Sequence, residues 1–177
     1  RLGAGKGLSS CLYVTVGTGI GGGLVAEGRL VHGLLHPEWG HIPMRLHPDD
    51  PMPNGVCPSH KGCLEGMASG PSIEKRWGAP GRELPEGHAA WELEAHYLGQ
   101  LCATAVLTVS PEVIVLGGGV MGRESLYPLV RRRAAEYLNG YIQHPAVLRH
   151  IDRYIVAPGL GVNSGAVGAL LLVADQL

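Results

Sequence analysis

Cys57, His60 and Cys63 follow one another as C-x2-H-x2-C, with His41 and His47 standing upstream. Thiolate and imidazole together suit zinc, which takes four such ligands in a closed tetrahedral structural site. Spacing supplies three ligands, and the fourth is either His41 or His47. The pattern is not that of a two-Cys, two-His finger and no basic stripe accompanies it, so the loop is not expected to read DNA. The surrounding stretch, residues 36–66, contains Pro48, Pro51, Pro53 and Pro58 together with Gly55 and Gly62. Those residues exclude a long helix or a central strand and leave an irregular loop that a metal would tie down.

Two glycine runs are the other candidates for chemistry. Leu12 to Val16 is rich in strand formers and feeds Gly17-Thr18-Gly19-Ile20-Gly21-Gly22-Gly23. Gly17, Gly19 and Gly22 satisfy G-x-G-x-x-G, with Glu38 about twenty residues on, where a dinucleotide site places its ribose acid. That fingerprint must open a helix. Here Glu27-Gly28 instead separates two short runs in a hairpin pattern, so a phosphate-contacting turn between antiparallel strands is expected. The second run, Gly117-Gly118-Gly119, ends the apolar segment Val113 to Leu116, which reads as a strand covered on both faces. A helix from Ser125, as cap, to Leu138 follows. Bare backbone is thereby placed at the carboxyl edge of a sheet, where open α/β folds bind ligands.

The positioning elements can be read in order. Leu64 to Ala68 and Pro71 to Trp77 read as helical pieces broken at Ser69-Gly70. A long helix runs from about Ala89 to Val109, its apolar stripe carrying Leu93, Tyr97, Leu101 and Ala105. His96 is assigned to its surface. Ile151 to Val156 is expected as a last strand, and Ser164 as the cap of a small-residue helix, GAVGALLLVADQ.

Composition bounds the class. A chain of 177 residues buries roughly 70% of its unfolded surface, enough for one domain with a sound core. Phe is absent, so that core should be aliphatic. A formal charge of −1 gives no electrostatic case for nucleic acid or an anionic membrane. Four cysteines at unequal spacing read as a metal pair plus two buried thiols, Cys11 and Cys102, which favours the cytoplasm. No run of 18 apolar residues offers a membrane span. The Gly/Lys start at Arg1 reads as a connector, so a fragment is expected.

The motifs VTVGTGIGGGLV, HPEWGHI, CPSHKGCLEGMASGP, VIVLGGGVM and NSGAVGALLL, in that order, resemble the ROK sugar kinases and, within them, the bacterial fructokinase branch. The resemblance covers nearly the whole chain. It implies an α/β, ribonuclease H-like (actin-like ATPase) fold with a mixed sheet flanked by helices. Residues 1–177 would form the C-terminal lobe of a two-domain kinase, the N-terminal lobe lying upstream. The implied activity is ATP-dependent phosphorylation of a hexose, fructose to fructose 6-phosphate, with this lobe inactive alone. ATP, Mg2+ and a structural Zn2+ are the implied cofactors.

By the same resemblance Glu38, His41 and Glu65 bind the sugar, and Thr18, Pro71, Gly117, Gly118, Gly119, Val120 and Met121 contact ATP. His41 becomes the preferred fourth zinc ligand beside Cys57, His60 and Cys63. His60 replaces a cysteine of the commoner family pattern, a change the fructokinase branch shares. The family's catalytic Asp would lie upstream of residue 1, since none of Asp49, Asp50, Asp152 and Asp175 sits beside the glycine loop. Small-molecule sugar and ATP are the implied partners, without nucleic acid or membrane, and a homodimer of the full-length protein is compatible. Two other classes share features: the sugar-binding domain of a ROK-type repressor, and a dinucleotide oxidoreductase built on Gly17 to Gly22.

Overall fold

Alternation sets the first strand. β1 (Cys11–Val16) buries Leu12, Val14 and Val16 on one face while Tyr13 and Thr15 stand on the other, the period of two expected of a strand. The computed structural model describes residues 2–174. From β1 the chain passes through the glycine turn into β2 (Ile20–Ala26), paired antiparallel with Val16 opposite Ile20, and then into β3 (Arg29–Leu30). Glu27 and Gly28 both take positive φ, 53° and 73°, as a tight hairpin turn demands. Because a strand and not a helix follows the glycines, the dinucleotide reading is excluded.

After the proline-rich loop come α1 (Leu64–Ala68) and α2 (Gly70–Trp77), then α3 (Ala90–Thr108), within a residue or two of the expected limits. β4 (Ile114–Gly117) is buried throughout and lies parallel to β1. Helix α4 (Leu126–Leu138) packs on α3, where Gly99 meets Arg133 so closely that a Cβ at position 99 would lie 2.5 Å from Arg133 Cβ. The chain then forms α5 (Pro145–Leu148), α6 (Ile151–Tyr154), β5 (Ile155–Val156) and α7 (Ser164–Ala174). The sheet order is β3-β2-β1-β4-β5, antiparallel on the β2 side and parallel on the β4 side. One aliphatic core joins Leu12, Val14, Ile114 and Leu116 of the sheet to Leu98, Leu101 and Val130 of the helices. Among the described residues no helix is long and apolar enough to cross a membrane.

Four expectations are corrected. Residues 151–154 are helical, and only Ile155 and Val156 pair with β4. Tertiary contacts override strand propensity there: Tyr154 is buried with its hydroxyl donating to Pro111 O (2.8 Å), and Arg131 holds the carbonyls of Asp152 and Ile155. Ser125 occupies the cap position of α4 without capping it, because its hydroxyl donates to Glu86. Ser164 likewise donates to Gly161 O (2.8 Å) and is itself the first residue of α7. The end of the expected C-terminal helix, Asp175 and Gln176, lies outside the described residues. His96 is 7% exposed instead of lying on the helix surface. Its Nε2–H donates to Arg45 O (2.9 Å), so Nδ1 is free to accept from the Tyr137 hydroxyl (2.6 Å). Burial lowers its pKa, consistent with a neutral ring.

Candidate functional site

The zinc-type motif folds into a knot held by backbone bonds. Met44 N donates to Gly62 O, Leu64 N to Ile42 O and Val56 N to Gly66 O, which bring residues 41–44 and 55–57 against the start of α1. Cys63 is the N-cap of α1, its sulfur accepting from Gly66 N. One donor atom from each of His41, Cys57, His60 and Cys63 lies within 4.8 Å of all the others. Cys57 Sγ is 3.6 Å from His60 Nδ1 and 3.9 Å from His41 Nδ1, and Cys63 Sγ is 3.7 Å from His41 Nδ1. Zinc bonds of about 2.3 Å to sulfur and about 2.0–2.1 Å to nitrogen give tetrahedral N···S edges of about 3.6 Å. Burial opposes the Cys57 thiolate, but amide hydrogen bonds from Ser59 and His60 outweigh it and lower its pKa, while burial pushes the Cys63 thiol up. His47 is elsewhere: its Nδ1 accepts from Asp49 N (3.2 Å) and its ring meets His96 edge-on. Cys102 is buried and Cys11 half-buried, and all four cysteines are free.

Next to the knot stands the E-W-G-H segment. Gly40 lies so close to β2 that any Cβ would overlap the Ile20 carbonyl oxygen, and the Trp39 ring covers Gly22. The motif is therefore a lock between this segment and the strand leaving the glycine turn. Glu38 is half-exposed, with its carboxylate 2.8 Å from His36 Nε2. Glu65, in the first turn of α1, reaches the same place from the other side: its Oε2 accepts from Ile20 N (2.9 Å). Glu38, His41 and Glu65 thus sit on segments that all meet the start of β2.

The two glycine turns contribute Gly17 and Gly119 to the lining of an open cavity of about 1150 Å³. Parallel pairing sets Thr15 opposite Gly117, so the turns after β1 and β4 emerge side by side. Gly118 has φ of 92° and its missing Cβ would overlap the Val16 backbone, which only glycine permits. Gly70 N donates to Gly17 O (2.7 Å), pinning the start of α2 to the glycine turn. Thr18, Pro71, Gly119 and Val120 line the cavity. Gly117 is instead the buried end of β4, against Tyr13 and Pro158, and Met121 is a core residue, so these two support the turn from beneath.

Residues that sequence reading passed over complete the surroundings. Asp50 forms a buried pair with Arg76 (Oδ1 to Nε 2.9 Å) and accepts from Tyr97 OH (2.6 Å), while Arg76 also donates to Met67 O at the end of α1. Burial would raise the Asp50 pKa, but Tyr97, the Met52 amide and Arg76 outweigh it and hold it below the ordinary carboxylate value. This strut ties the zinc-type loop to α1, α2 and α3. Trp91 and Arg123 also line the cavity. No local spacing announces either group, since the partners are 26 to 47 residues apart for Asp50.

Comparison with known proteins follows the same lines. The sequence profile of the ROK family matches residues 1–176. The chain is 46% identical over 175 residues to a putative fructokinase of Bacillus subtilis, covering 99% of this chain and 58% of that protein. It is 47% identical over 173 residues to the fructokinase of Zymomonas mobilis, covering 96% and 56% respectively. A ROK hexokinase from Thermus thermophilus superposes with a TM-score of 0.76 at 32% identity, covering 98% of this chain and 61% of that one. The chain therefore spans less than three fifths of the length of these curated relatives. Its mixed sheet and flanking helices are the actin-like α/β architecture that the motifs led one to expect. With its motifs, its fold and a matching profile over 176 residues in agreement, the chain belongs to the ROK family.

Proposed function

We propose that residues 1–177 form the C-terminal lobe of an ATP-dependent hexose kinase, with fructose as the hexose and fructose 6-phosphate as the product. The observation that carries this reading is the Glu65 carboxylate on Ile20 N, because it joins the candidate sugar acid to the turn suited to phosphates. Two relatives named fructokinase at 46% and 47% identity favour the kinase over a DNA-binding repressor.

In this reading the backbone of Gly17–Gly19 and of Gly118–Gly119 approaches the nucleotide phosphates where no side chain intervenes, with Thr18 at the turn and Pro71 and Val120 flanking the nucleotide. Glu38, Glu65 and the Nε2 side of His41 accept from or donate to sugar hydroxyls. His41, Cys57, His60 and Cys63 would hold a zinc ion, and N···S distances of 3.6–3.9 Å within one cluster of four donor atoms support that assignment. All four positions are filled by the chain, so the ion is structural and fixes the loop bearing Glu65. Magnesium bound with ATP neutralises the developing phosphoryl charge. Among the described residues no aspartate lines the cavity, and Asp50 is engaged by Arg76 and Tyr97. The base that takes the proton from the sugar hydroxyl is therefore assigned to the upstream lobe of the longer protein. Four free cysteines suit a cytoplasmic enzyme.

The test is an ATP-coupled phosphorylation assay of the full-length gene product across fructose, mannose and glucose. Fructose should give the highest kcat/KM, with phosphate on O6. Absence of ADP release with every hexose would refute the kinase.

A further inference from the structure

Part of the cavity lining is held by side-chain clamps instead of glycine backbone. There the Arg123 guanidinium lies 4.0 Å over the Trp91 ring, and both side chains are nearly buried. Nη2 of Arg123 donates to Leu84 O (2.8 Å) and Gly81 O (3.2 Å), and Nη1 lies 2.6 Å from Glu86. Trp91 Nε1 donates to Pro85 O (2.8 Å). Three carbonyls and one carboxylate of the segment 81–86 are thus gathered by two side chains arriving from α3 and from the turn after β4. The segment has only one short 3-10 turn of its own, Gly81–Glu83. These clamps add to the burial of Leu84 in the core in holding the segment against the cavity. Pro80, Gly81 and Trp91 line the same cavity as Gly17 and Gly119, whose backbone suits phosphates. A triphosphate held along the glycines therefore has this segment within the same cavity to receive its base.

We propose that Arg123 is a positioning residue for nucleotide selection: by clamping the 81–86 segment over Trp91 it fixes the wall that receives the base of the nucleoside triphosphate. This rests on the nucleotide reading of the cavity given above. Arg123 does not act as a phosphate ligand, since its Nη atoms are engaged and its Nε is buried.

The experiment measures steady-state kinetics of the full-length gene product with ATP and with CTP, for the wild type and for Arg123→Lys. Lysine keeps the charge but cannot reach several acceptors in one plane. ATP KM should rise at least tenfold and the ATP-to-CTP ratio of kcat/KM should fall at least fivefold, with fructose KM within twofold. An unchanged ratio overturns the proposal, whether ATP KM is unaltered or both nucleotides weaken equally, as a phosphate contact would require. A wild type without preference between the two also overturns it. Glu86→Gln, at an exposed partner of the clamp, gives a second variant should the lysine protein fail to fold, and a fall of at least twofold in the same ratio is expected. A wild type unable to use any nucleotide would refute the kinase reading itself, which separates the two failures.

Discussion

Replacing Gly19 by alanine strikes the contact on which the site depends. A Cβ at this position would lie 2.7 Å from Glu65 Oε2, and Gly19 does not occupy the left-handed φ region, so no backbone strain adds to the steric clash. To reach ordinary contact of about 3.4 Å the oxygen must retreat by about 0.7 Å, which stretches its 2.9 Å bond to Ile20 N to at most about 3.6 Å, where it no longer counts as a hydrogen bond. A hydrogen bond to a charged acceptor contributes about 1.5–3 kcal/mol. For a chain of this size that loss lowers Tm by about 3–12 °C. Where the same carboxylate also holds the sugar, misplacing it weakens hexose binding by about 10- to 150-fold, at 1.4 kcal/mol per factor of ten. Gly23→Ala in the following strand is the control, since no atom lies within 4 Å of the point its Cβ would occupy, and the loss of unfolded-state freedom should leave it unchanged or more stable by about 0.4–1 kcal/mol. Thermal melts of both variants, with sugar and ATP KM in the full-length gene product, decide the matter. Equal Tm and equal sugar KM for Gly19→Ala and wild type would show that the Glu65–Ile20 bond neither stabilises the turn nor orients the acid.

Two further outcomes follow from buried charges. Asp50→Asn leaves Arg76 without its carboxylate in a buried setting and should cost about 3–5 kcal/mol in denaturant unfolding; because the folded pKa of Asp50 is depressed, its stabilisation is present above the unfolded value near 3.8 and lost as pH falls through the folded one. Glu94 behaves oppositely: fully buried, it has its pKa raised well above 4.5 by burial, so the folded state keeps a proton that the unfolded chain releases, and stability falls as pH rises above 4.5. Glu94→Gln should flatten that decline between pH 5 and 7 in urea titrations, and an unchanged slope would contradict the assignment of a protonated Glu94.

What was legible in the sequence was local. C-x2-H-x2-C assembled as read, and His41 joins it in space while His47 does not. β1, the hairpin and α1 to α4 fall within a few residues of the expected limits: β1 and α4 each bury one face, whereas α3 is buried almost all round. Residues 151–154 misled because Tyr154 satisfies its hydroxyl at Pro111, a contact far away in sequence. His96 looked like a surface residue on an apolar helix, yet Arg45 and Tyr137 satisfy both ring nitrogens. The Asp50 strut and the Arg123 clamp have the same character: they pair residues distant in the chain, and no periodicity encodes such pairs.

The most direct measurement is a crystal structure of the full-length gene product with fructose and a non-hydrolysable ATP analogue, recorded at the zinc absorption edge. An anomalous peak is expected among His41 Nδ1, Cys57 Sγ, His60 Nδ1 and Cys63 Sγ, with a fructose hydroxyl on Glu65 and phosphates along Gly17–Gly19. Fructose bound away from Glu65, or phosphates lying outside the two glycine turns, would contradict the proposed sugar and nucleotide sites.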